Sequence, residues 1–267
     1  MAFHQIRQYG NFYFQAVTQY QLHSPFVFEL ATAVLEDDRD YYAFRDVELL
    51  RKKMLASDVW IDRVDFGAQE GRRREMLRKV VANAASSPRQ GKMLFRLANH
   101  LHPQTMLELG TSTGIGAMYL ASGARNARFR TLEGCPQTAA VARNNAEILG
   151  LHHVEVTDGP FEQTLLPALN DLKTVDLFYL DGNHRPEPTL RYFEQCLPYA
   201  KPKAVFVFDD IYWSAGMTDA WKKIQEHPKV TLTVDFFAIS LAFIDPAFKQ
   251  KQHFRVVPTR QKPWKIF

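Results

Sequence analysis

The sequence predicts an α/β protein built on a doubly wound, mostly parallel sheet. From about residue 88 onward, short apolar segments of strand length alternate with segments of helical period. Residues 204–208 form an uninterrupted apolar run, which is typical of a strand buried on both faces of a parallel sheet. Several predicted strands end in an acidic residue followed by glycine, at the sheet edge where such folds bind ligands.

The predicted elements follow one another at the spacing of strand–helix units. The predicted strands are Thr105–Leu109, Arg128–Leu132, Val154–Thr157, Val175–Leu180, Ala204–Phe208, Val230–Phe237 and Ser240–Ile244. The predicted helices are Met93–Leu101, Ile115–Ser122, Pro136–Leu149, Phe161–Leu169, Pro188–Leu197 and Thr218–Glu226. The last two strands are so close in sequence that we expect them to be antiparallel neighbours.

Residues 1–86 are predicted to form an N-terminal helical cap. Ser24 is an N-cap with proline at the first helical position, and a second helix is expected over Tyr42–Leu55. A third helix is expected to begin near Gly67 and to carry five basic residues: Arg72, Arg73, Arg74, Arg78 and Lys79. Such a cluster is either a solvated helix face or a surface for an anionic ligand or partner.

The formal net charge of +4 is concentrated at one end of the chain. The last 22 residues hold six basic residues and no acidic one, so the rest of the chain has a net charge of −2. We therefore expect a separate basic C-terminal tail over 247–267, which follows a main domain over 87–246. Because the rest of the chain is not basic, we expect no nucleic-acid partner.

Composition also limits the compartment and the type of partner. Two cysteines cannot form a disulfide framework, which predicts a reducing, cytoplasmic location. The longest apolar stretch, residues 236–244, is too short to cross a bilayer, so we expect no membrane partner. The aromatic-rich start of the chain is expected either to cover a substrate pocket or to form a homodimer interface.

The first predicted strand runs into the glycine-rich sequence Gly110-Thr111-Ser112-Thr113-Gly114. Glycine at this point lets the backbone turn sharply off the strand and lets a helix begin close to a ligand. The spacing is neither that of a dinucleotide fingerprint nor that of a P-loop. Glu108 precedes the turn, which suits a ligand that carries positive charge; the alternative is a plain strand–helix turn.

Two further acids end the next strands. Glu133-Gly134 lies where a carboxylate binds a ribose diol, and Asp158-Gly159 lies where an acid can accept the amino group of adenine. With Glu108, these residues resemble the successive motifs of class I S-adenosylmethionine-dependent methyltransferases. The resemblance covers about residues 88–245.

The resemblance implies a Rossmann-like, seven-stranded sheet with strand order 3-2-1-4-5-7-6 and the last strand antiparallel. It also implies that Glu133 holds the ribose hydroxyls and that the Gly110 turn holds the methionine end of S-adenosyl-L-methionine. The predicted cofactor-binding residues are Glu108, Gly110, Thr111, Ser112, Gly114, Glu133, Gly134, Asp158, Gly159 and Asp181.

Three more acids follow the fourth and fifth predicted strands: Asp181, Asp209 and Asp210. The tips of neighbouring strands are about 5 Å apart, so these carboxylates are expected to converge. Converging carboxylates repel one another unless a cation lies between them, and oxygen ligands suit Mg²⁺ or another hard divalent ion. Alternatively, Asp181 approaches the cofactor alone and Asp209 caps the next helix.

This acidic set resembles that of the metal-dependent O-methyltransferases of the catechol, caffeoyl-CoA and antibiotic-sugar types. The resemblance implies that Asp181, Asp209 and Asp210 hold the metal. His184 stands where catechol-type enzymes have a lysine base, which leaves the base assignment open between catalysis and helix capping. The catalytic residues predicted are His184 and Asp181. Histidine is a competent base near neutral pH, and Asp181 lies in the acidic set described above.

The sequence therefore favours a methyltransferase that acts on a hydroxyl of a small molecule, assisted by a divalent metal. An RNA or protein methyltransferase that uses the basic tail is the second hypothesis. A non-catalytic protein that binds S-adenosylmethionine is the third, because a fold alone does not establish an activity.

The metal hypothesis predicts that chelation abolishes turnover. Metal bound to the acceptor oxygen would lower its pKa and fix its approach, so EDTA should stop methyl transfer and added Mg²⁺ should restore it. The measurement is methyl transfer with and without chelator. Full turnover in EDTA would contradict a metal role and leave Asp181 as an electrostatic group only.

Overall fold

The computed structural model describes residues 2–65 and 71–265 of the chain. The chain forms two compact units. The first unit comprises residues 1–38, 176–180 and 184–267, and the second comprises residues 39–175 and 181–183. The predicted domain boundaries at residues 86 and 246 stay predictions.

Ten α-helices and ten strands are formed by the described residues. The helices are α1 Ala2–Gln15, α2 Pro25–Ala31, α3 Tyr42–Leu55, α4 Leu77–Ala84, α5 Pro88–Leu101, α6 Ile115–Gly123, α7 Pro136–Ile148, α8 Phe161–Leu172, α9 Pro186–Cys196 and α10 Ala215–Glu226. The strands are β1 Trp60–Asp65, β2 Gly71–Met76, β3 Thr105–Leu109, β4 Arg128–Glu133, β5 Val154–Asp158, β6 Val175–Leu180, β7 Ala200–Asp209, β8 Leu232–Asp235, β9 Ile239–Ile244 and β10 Gln252–Arg255.

The main sheet has the order β10-β8-β9-β7-β6-β3-β4-β5. Strands β3, β4 and β5 are parallel, and β9 is antiparallel to both β7 and β8. The α/β class and the relative order of the seven predicted strands are confirmed. The strand count is wrong, because the sheet has an eighth strand.

The eighth strand, β10, comes from the basic tail. It pairs in parallel with β8, so that Gln252 is opposite Leu232 and Arg255 is opposite Asp235. The strand has only four residues and includes a histidine and an arginine, so neither hydrophobic alternation nor length marked it in the sequence. Pairing of its backbone with the edge of β8 stabilises it instead.

The third helix predicted for the N-terminal region is wrong over residues 71–76, whereas Arg78 and Lys79 do lie on a helix. Residues 60–65 and 71–76 form an antiparallel hairpin, β1–β2, and helix α4 begins only at Leu77. The predicted starting residue, Gly67, lies outside the described residues. Cross-strand pairing explains the difference: Arg63 on β1 lies 3.6 Å from the Glu75 carboxylate on β2, which Arg73 of β2 also approaches, at 3.4 Å. Helix propensity of an arginine run is weak enough for such contacts to override it.

The first unit joins the start of the chain to its tail. Val17 pairs with Val256 as an isolated bridge, and the Tyr13 hydroxyl donates to the Gln261 carbonyl at 2.7 Å. The Lys262 ammonium group is 3% exposed and donates to the Ala16 carbonyl at 2.7 Å. The basic tail is therefore a packed part of this unit over its described residues.

The aromatic start of the chain packs on the turn between β8 and β9. The ring centroids of Tyr9 and Phe12 lie 4.9 and 5.3 Å from that of Phe237. Whether this region also covers a substrate or a second copy of the chain stays a prediction. Within residues 2–65 and 71–265, no helix is both long enough and apolar enough to cross a bilayer.

Helices α5 and α6 of the second unit approach closely at Gly91. A Cβ atom at this position would lie 2.3 Å from ring carbons of Tyr119, which is fully buried on α6. A buried aromatic ring cannot move away at low cost, because protein interiors are close-packed. The contact therefore requires glycine at position 91.

We expect Gly91→Ala to lower the free energy of unfolding by about 1–3 kcal/mol, the usual cost of overpacking. Gly10→Ala is the matched control, because nothing lies within 4 Å of a Cβ there and alanine favours a helix. Urea denaturation of both variants measures the difference. Equal stability of the two variants would show that α5 and α6 can separate without cost.

Candidate functional site

The turn after β3 is fixed by backbone contacts in the second unit. The Gly110 N–H donates to the Leu132 carbonyl, and the Asp181 N–H donates to the Leu109 carbonyl, both at 2.9 Å. Gly110 has φ = +100°, and a Cβ on it would lie 2.5 Å from the Asp181 carbonyl oxygen. Only glycine accepts both this conformation and this proximity.

Glu108 is buried beneath that turn. The Thr131 hydroxyl donates to the Glu108 carboxyl group and is itself hydrogen-bonded to the Thr111 hydroxyl. Burial raises the pKa of Glu108 to about 8; the hydrogen bond from Thr131 opposes this rise, and the charge of Glu133 adds to it. The carboxyl group is therefore mostly protonated at neutral pH, and a cationic ligand would favour its ionisation.

Glu133 ties the glycine-rich turn to the end of β4. One carboxylate oxygen accepts the Ser112 N–H at 2.6 Å. The other accepts the Cys135 N–H at 2.9 Å and the Thr138 hydroxyl at 3.0 Å. Burial raises the pKa of Glu133, whereas these hydrogen bonds lower it. Among the described residues, the Ser112 N–H is the one donor to the oxygen that faces it, so this oxygen has the greater capacity for a ligand hydroxyl.

An open cavity with about 220 Å³ of empty space lies at this turn, wholly within the second unit. Five predicted residues line it: Glu108, Gly110, Thr111, Ser112 and Asp181. Residues 84–86, 113, 115 and 116 complete the lining. The structure thus brings together half of the ten residues predicted to bind a cofactor.

The cavity offers groups for both charges of an amino-acid zwitterion. Helix α6 begins at its wall, so the first N–H groups of that helix have no partner within the helix and favour an anion. The Thr113 hydroxyl is 0% exposed and has no hydrogen-bond partner among the described residues. The carboxyl groups of Glu108 and Asp181 suit a cation. This donor set fits the methionine end of S-adenosylmethionine.

The other predicted cofactor residues do not line the cavity. Asp158 is ion-paired with Arg143, whose Nε also donates to the Val156 carbonyl at 3.1 Å. The Gly159 N–H donates to the Glu133 carbonyl at 2.9 Å, which joins the ends of β4 and β5. Gly114 is the N-cap of α6 with φ = +90°. The assignment of Asp158 to adenine stays a prediction.

The first unit holds His184 and the predicted metal ligands Asp209 and Asp210. The His184 Nδ1 atom lies 3.6 Å from a carboxylate oxygen of Asp210. Both residues have positive φ values, +44° and +53°, which are rare outside glycine and are often found at functional sites. Burial raises the pKa of Asp210 to about 6; the charge of Asp209 adds to this rise, and His184 opposes it.

The Asp209 carboxylate is engaged by protein donors. It accepts the Asp210 N–H at 2.8 Å and the Tyr179 hydroxyl at 3.3 Å. The Trp213 ring, which follows this pair, lies 6.4 Å from the His184 ring, centroid to centroid. An aromatic side chain is therefore present beside the histidine.

Metal binding is not supported by the grouping of side chains. Across residues 2–65 and 71–265, no three side chains of His, Cys, Asp or Glu are arranged to hold a metal ion. The predicted ligands Asp181, Asp209 and Asp210 therefore do not match a metal cluster in this part of the chain. A role of a metal in catalysis therefore stays a prediction.

Similarity to known proteins indicates the kind of domain that this chain contains. Residues 107–211 match a family model described as a methyltransferase domain. The chain is 36% identical over 135 residues to a catechol O-methyltransferase of Mycobacterium tuberculosis, which covers 50% of this chain and 60% of that protein. A catechol O-methyltransferase of Niastella koreensis is 33% identical over 137 residues, 50% of this chain and 61% of its own.

Residues 107–211 of this chain therefore resemble a methyltransferase domain. The predicted resemblance is thus confirmed. A solved O-methyltransferase of Bacillus cereus in complex with SAH has the same fold, with a TM-score of 0.55 and 22% identity over 81% of this chain and 96% of that one. The chain spans about three-fifths of the length of the curated relatives that it matches.

Some residues at the cavity were not predicted. Residues 84–86 lie outside the family match and line the cavity from the segment between α4 and α5. Helix α5 begins at Pro88 behind the N-cap Ser87, earlier than the predicted start at Met93, so no prediction pointed to this segment. Thr131 is buried within β4, and no local motif distinguishes its hydroxyl from that of a core threonine.

We expect Glu108→Gln to change how stability depends on pH. The folded-state pKa of about 8 lies above the ordinary value of 4.5, so the folded state retains a proton that the unfolded state has lost. Stability of the wild type should therefore fall as the pH rises from about 5 to 8, and the variant should lack this fall.

Melting temperatures at pH 5 and pH 8 measure the effect. The difference between wild type and variant should exceed about 1 kcal/mol, or about 2–4 °C in Tm. Glu147→Gln, at an exposed position of α7, is the control. Parallel pH profiles for wild type and Glu108→Gln would show that Glu108 does not hold a proton in the folded protein.

Proposed function

We propose that this protein is an S-adenosylmethionine-dependent O-methyltransferase that methylates a hydroxyl of a small molecule. One observation carries the proposal: the Gly110 turn, two acids and an unpaired buried threonine hydroxyl surround one cavity at the start of α6. The two catechol O-methyltransferase relatives support a hydroxyl acceptor. Among the described residues, no cavity or cluster of side chains gives similar support to an RNA or protein substrate.

Residues of the second unit would hold the cofactor. The N-terminus of α6 and the Thr113 hydroxyl would bind its carboxylate, and Glu108 and Asp181 would bind its ammonium group. The free capacity of the Glu133 carboxylate would accept a ribose hydroxyl. When bound, the cofactor supplies an electrophilic methyl group, which is transferred as its carbon–sulfur bond breaks and a carbon–oxygen bond forms.

His184 is our candidate for the residue that accepts the acceptor's hydroxyl proton. Its imidazole has one nitrogen toward the Asp210 carboxylate, which would stabilise the imidazolium formed by proton transfer. Trp213 would contribute an apolar surface for an aromatic acceptor. A divalent metal bound by the predicted acidic ligands is proposed from the sequence alone. Methyl transfer measured with and without chelator tests it.

The proposal predicts that the protein binds S-adenosylhomocysteine and transfers methyl groups from S-adenosylmethionine to catechol-type acceptors. Calorimetry measures the binding, and formation of S-adenosylhomocysteine measures turnover. If the protein binds neither S-adenosylhomocysteine nor S-adenosylmethionine, the proposal is wrong. Binding without transfer to any hydroxyl acceptor would favour the non-catalytic alternative.

We expect Gly110→Ala to weaken S-adenosylhomocysteine binding by about 100-fold or more, because the new Cβ must displace the Asp181 backbone at the cavity. Gly150→Ala is the matched control. It also has positive φ, +63°, but nothing lies within 4 Å of its Cβ. Equal weakening by both substitutions would point to general strain rather than to the cavity.

A further inference from the structure

A buried arginine lies behind the cavity rather than in it. Arg51, on α3, is 8% exposed, and its guanidinium group donates to the Ser86 carbonyl at 2.6 Å. Its Nε also lies 3.0 Å from each oxygen of the Glu48 carboxylate, one turn earlier on the same helix. A charged group is costly to bury unless it is paired and hydrogen-bonded, and here it is both.

The same glutamate reaches α6. The Tyr119 hydroxyl donates to Glu48 at 2.8 Å, and the Tyr119 ring is fully buried. Burial and the neighbouring Glu48 raise the pKa of the tyrosine above its ordinary value, so its hydroxyl remains a donor. Tyr119, Glu48, Arg51 and Ser86 therefore form a continuous polar chain within the second unit, called here the Arg51 brace.

One end of the Arg51 brace, Ser86, lines the cavity, and the other end, Tyr119, lies on α6, whose first residues also line it. Ser86 and the two alanines before it line one wall, and the first residues of α6 line another. Arg51, Glu48 and Tyr119 do not line the cavity themselves. The brace can therefore alter the distance between the walls but cannot touch what is bound there.

The wall that Arg51 contacts lies in the connection between two helices, where the Ala85 N–H donates to the Val81 carbonyl at 3.3 Å. Residues 84–86 connect the end of α4 to the N-cap of α5 at Ser87 and belong to no helix after Ala84. The guanidinium group is planar and has several donors, so it can bind Glu48 and the Ser86 carbonyl at the same time. A lysine ammonium group on a flexible stem cannot reproduce that fork.

We propose that Arg51 is a positioning residue that sets the wall formed by Ala84, Ala85 and Ser86 against the start of α6, and thereby sets the affinity for the cofactor. The identity of the cofactor rests on the function proposed above. Arg51 acts through the backbone of Ser86 and makes no contact with the reacting groups.

The test compares Arg51→Lys with Arg78→Lys. Arg78 lies on α4 of the same unit but forms only an exposed ion pair with Asp58. We expect Arg51→Lys to weaken S-adenosylhomocysteine binding by about tenfold, the effect of losing one charged hydrogen bond. KM for S-adenosylmethionine should rise similarly, while kcat at saturating cofactor stays unchanged; Arg78→Lys should alter neither.

A second variant guards against general loss of structure. Tyr119→Phe keeps the buried ring and removes the hydroxyl from the Arg51 brace, so it should weaken binding in the same direction. The effects of Arg51→Lys and Tyr119→Phe on affinity should be non-additive, because both act on one chain of contacts. Wild-type affinity in Arg51→Lys, or a loss of kcat without a change in KM, would overturn the proposal.

Hydrogen exchange separates this proposal from the proposed function. In protein without ligand, amides of residues 84–86 should exchange faster in Arg51→Lys than in Arg78→Lys. Unchanged exchange there would overturn the positioning role. If the wild type fails to bind S-adenosylhomocysteine, the proposed function is wrong and the link to cofactor affinity falls with it, whereas faster exchange would still establish the positioning of this wall.

Discussion

The geometry of the candidate site depends on how closely the backbone at Gly110 approaches the backbone at Asp181. Hydrogen bonds from the N–H groups of Gly110 and Asp181 hold the turn after β3 against its two neighbours in the sheet. No side chain can be accommodated at this point, so the turn is set by main-chain contacts and not by packing. A site built this way is rigid before any ligand arrives, which reduces the entropic cost of binding.

Around that turn the protein buries acidic groups that it satisfies with hydroxyls and N–H groups. Glu108 relies on Thr131, and Glu133 relies on two backbone donors and Thr138. Within residues 2–65 and 71–265, neither carboxyl group accepts a hydrogen bond from a basic side chain. Negative charge can therefore develop there at low cost only when a cation enters the cavity, which favours a ligand carrying an ammonium or sulfonium group.

Local patterns predicted much of this fold and part of the site. Strands β3 and β6 have the predicted bounds, because apolar runs bounded by turn residues fix their own limits. The hairpin β1–β2 and the strand β10 were missed, since cross-strand pairing stabilises them and none of these strands has the alternating apolar pattern of a strand. The glycine and acid motifs located the cavity, but the approach of Arg51 to Ser86, 35 residues away, was not predictable from the sequence, because no local pattern encodes it.

The composition of the first unit also has a consequence for the order in which the chain folds. The second unit is almost continuous in sequence, from residue 39 to 175. The first unit needs residues 1–38 together with the tail, and its contacts join residues as far apart as Ala16 and Lys262. During synthesis the N-terminal segment must therefore wait for its partners until the residues near Lys262 have been made. Its apolar side chains stay exposed to water during that delay, which makes the segment prone to aggregation.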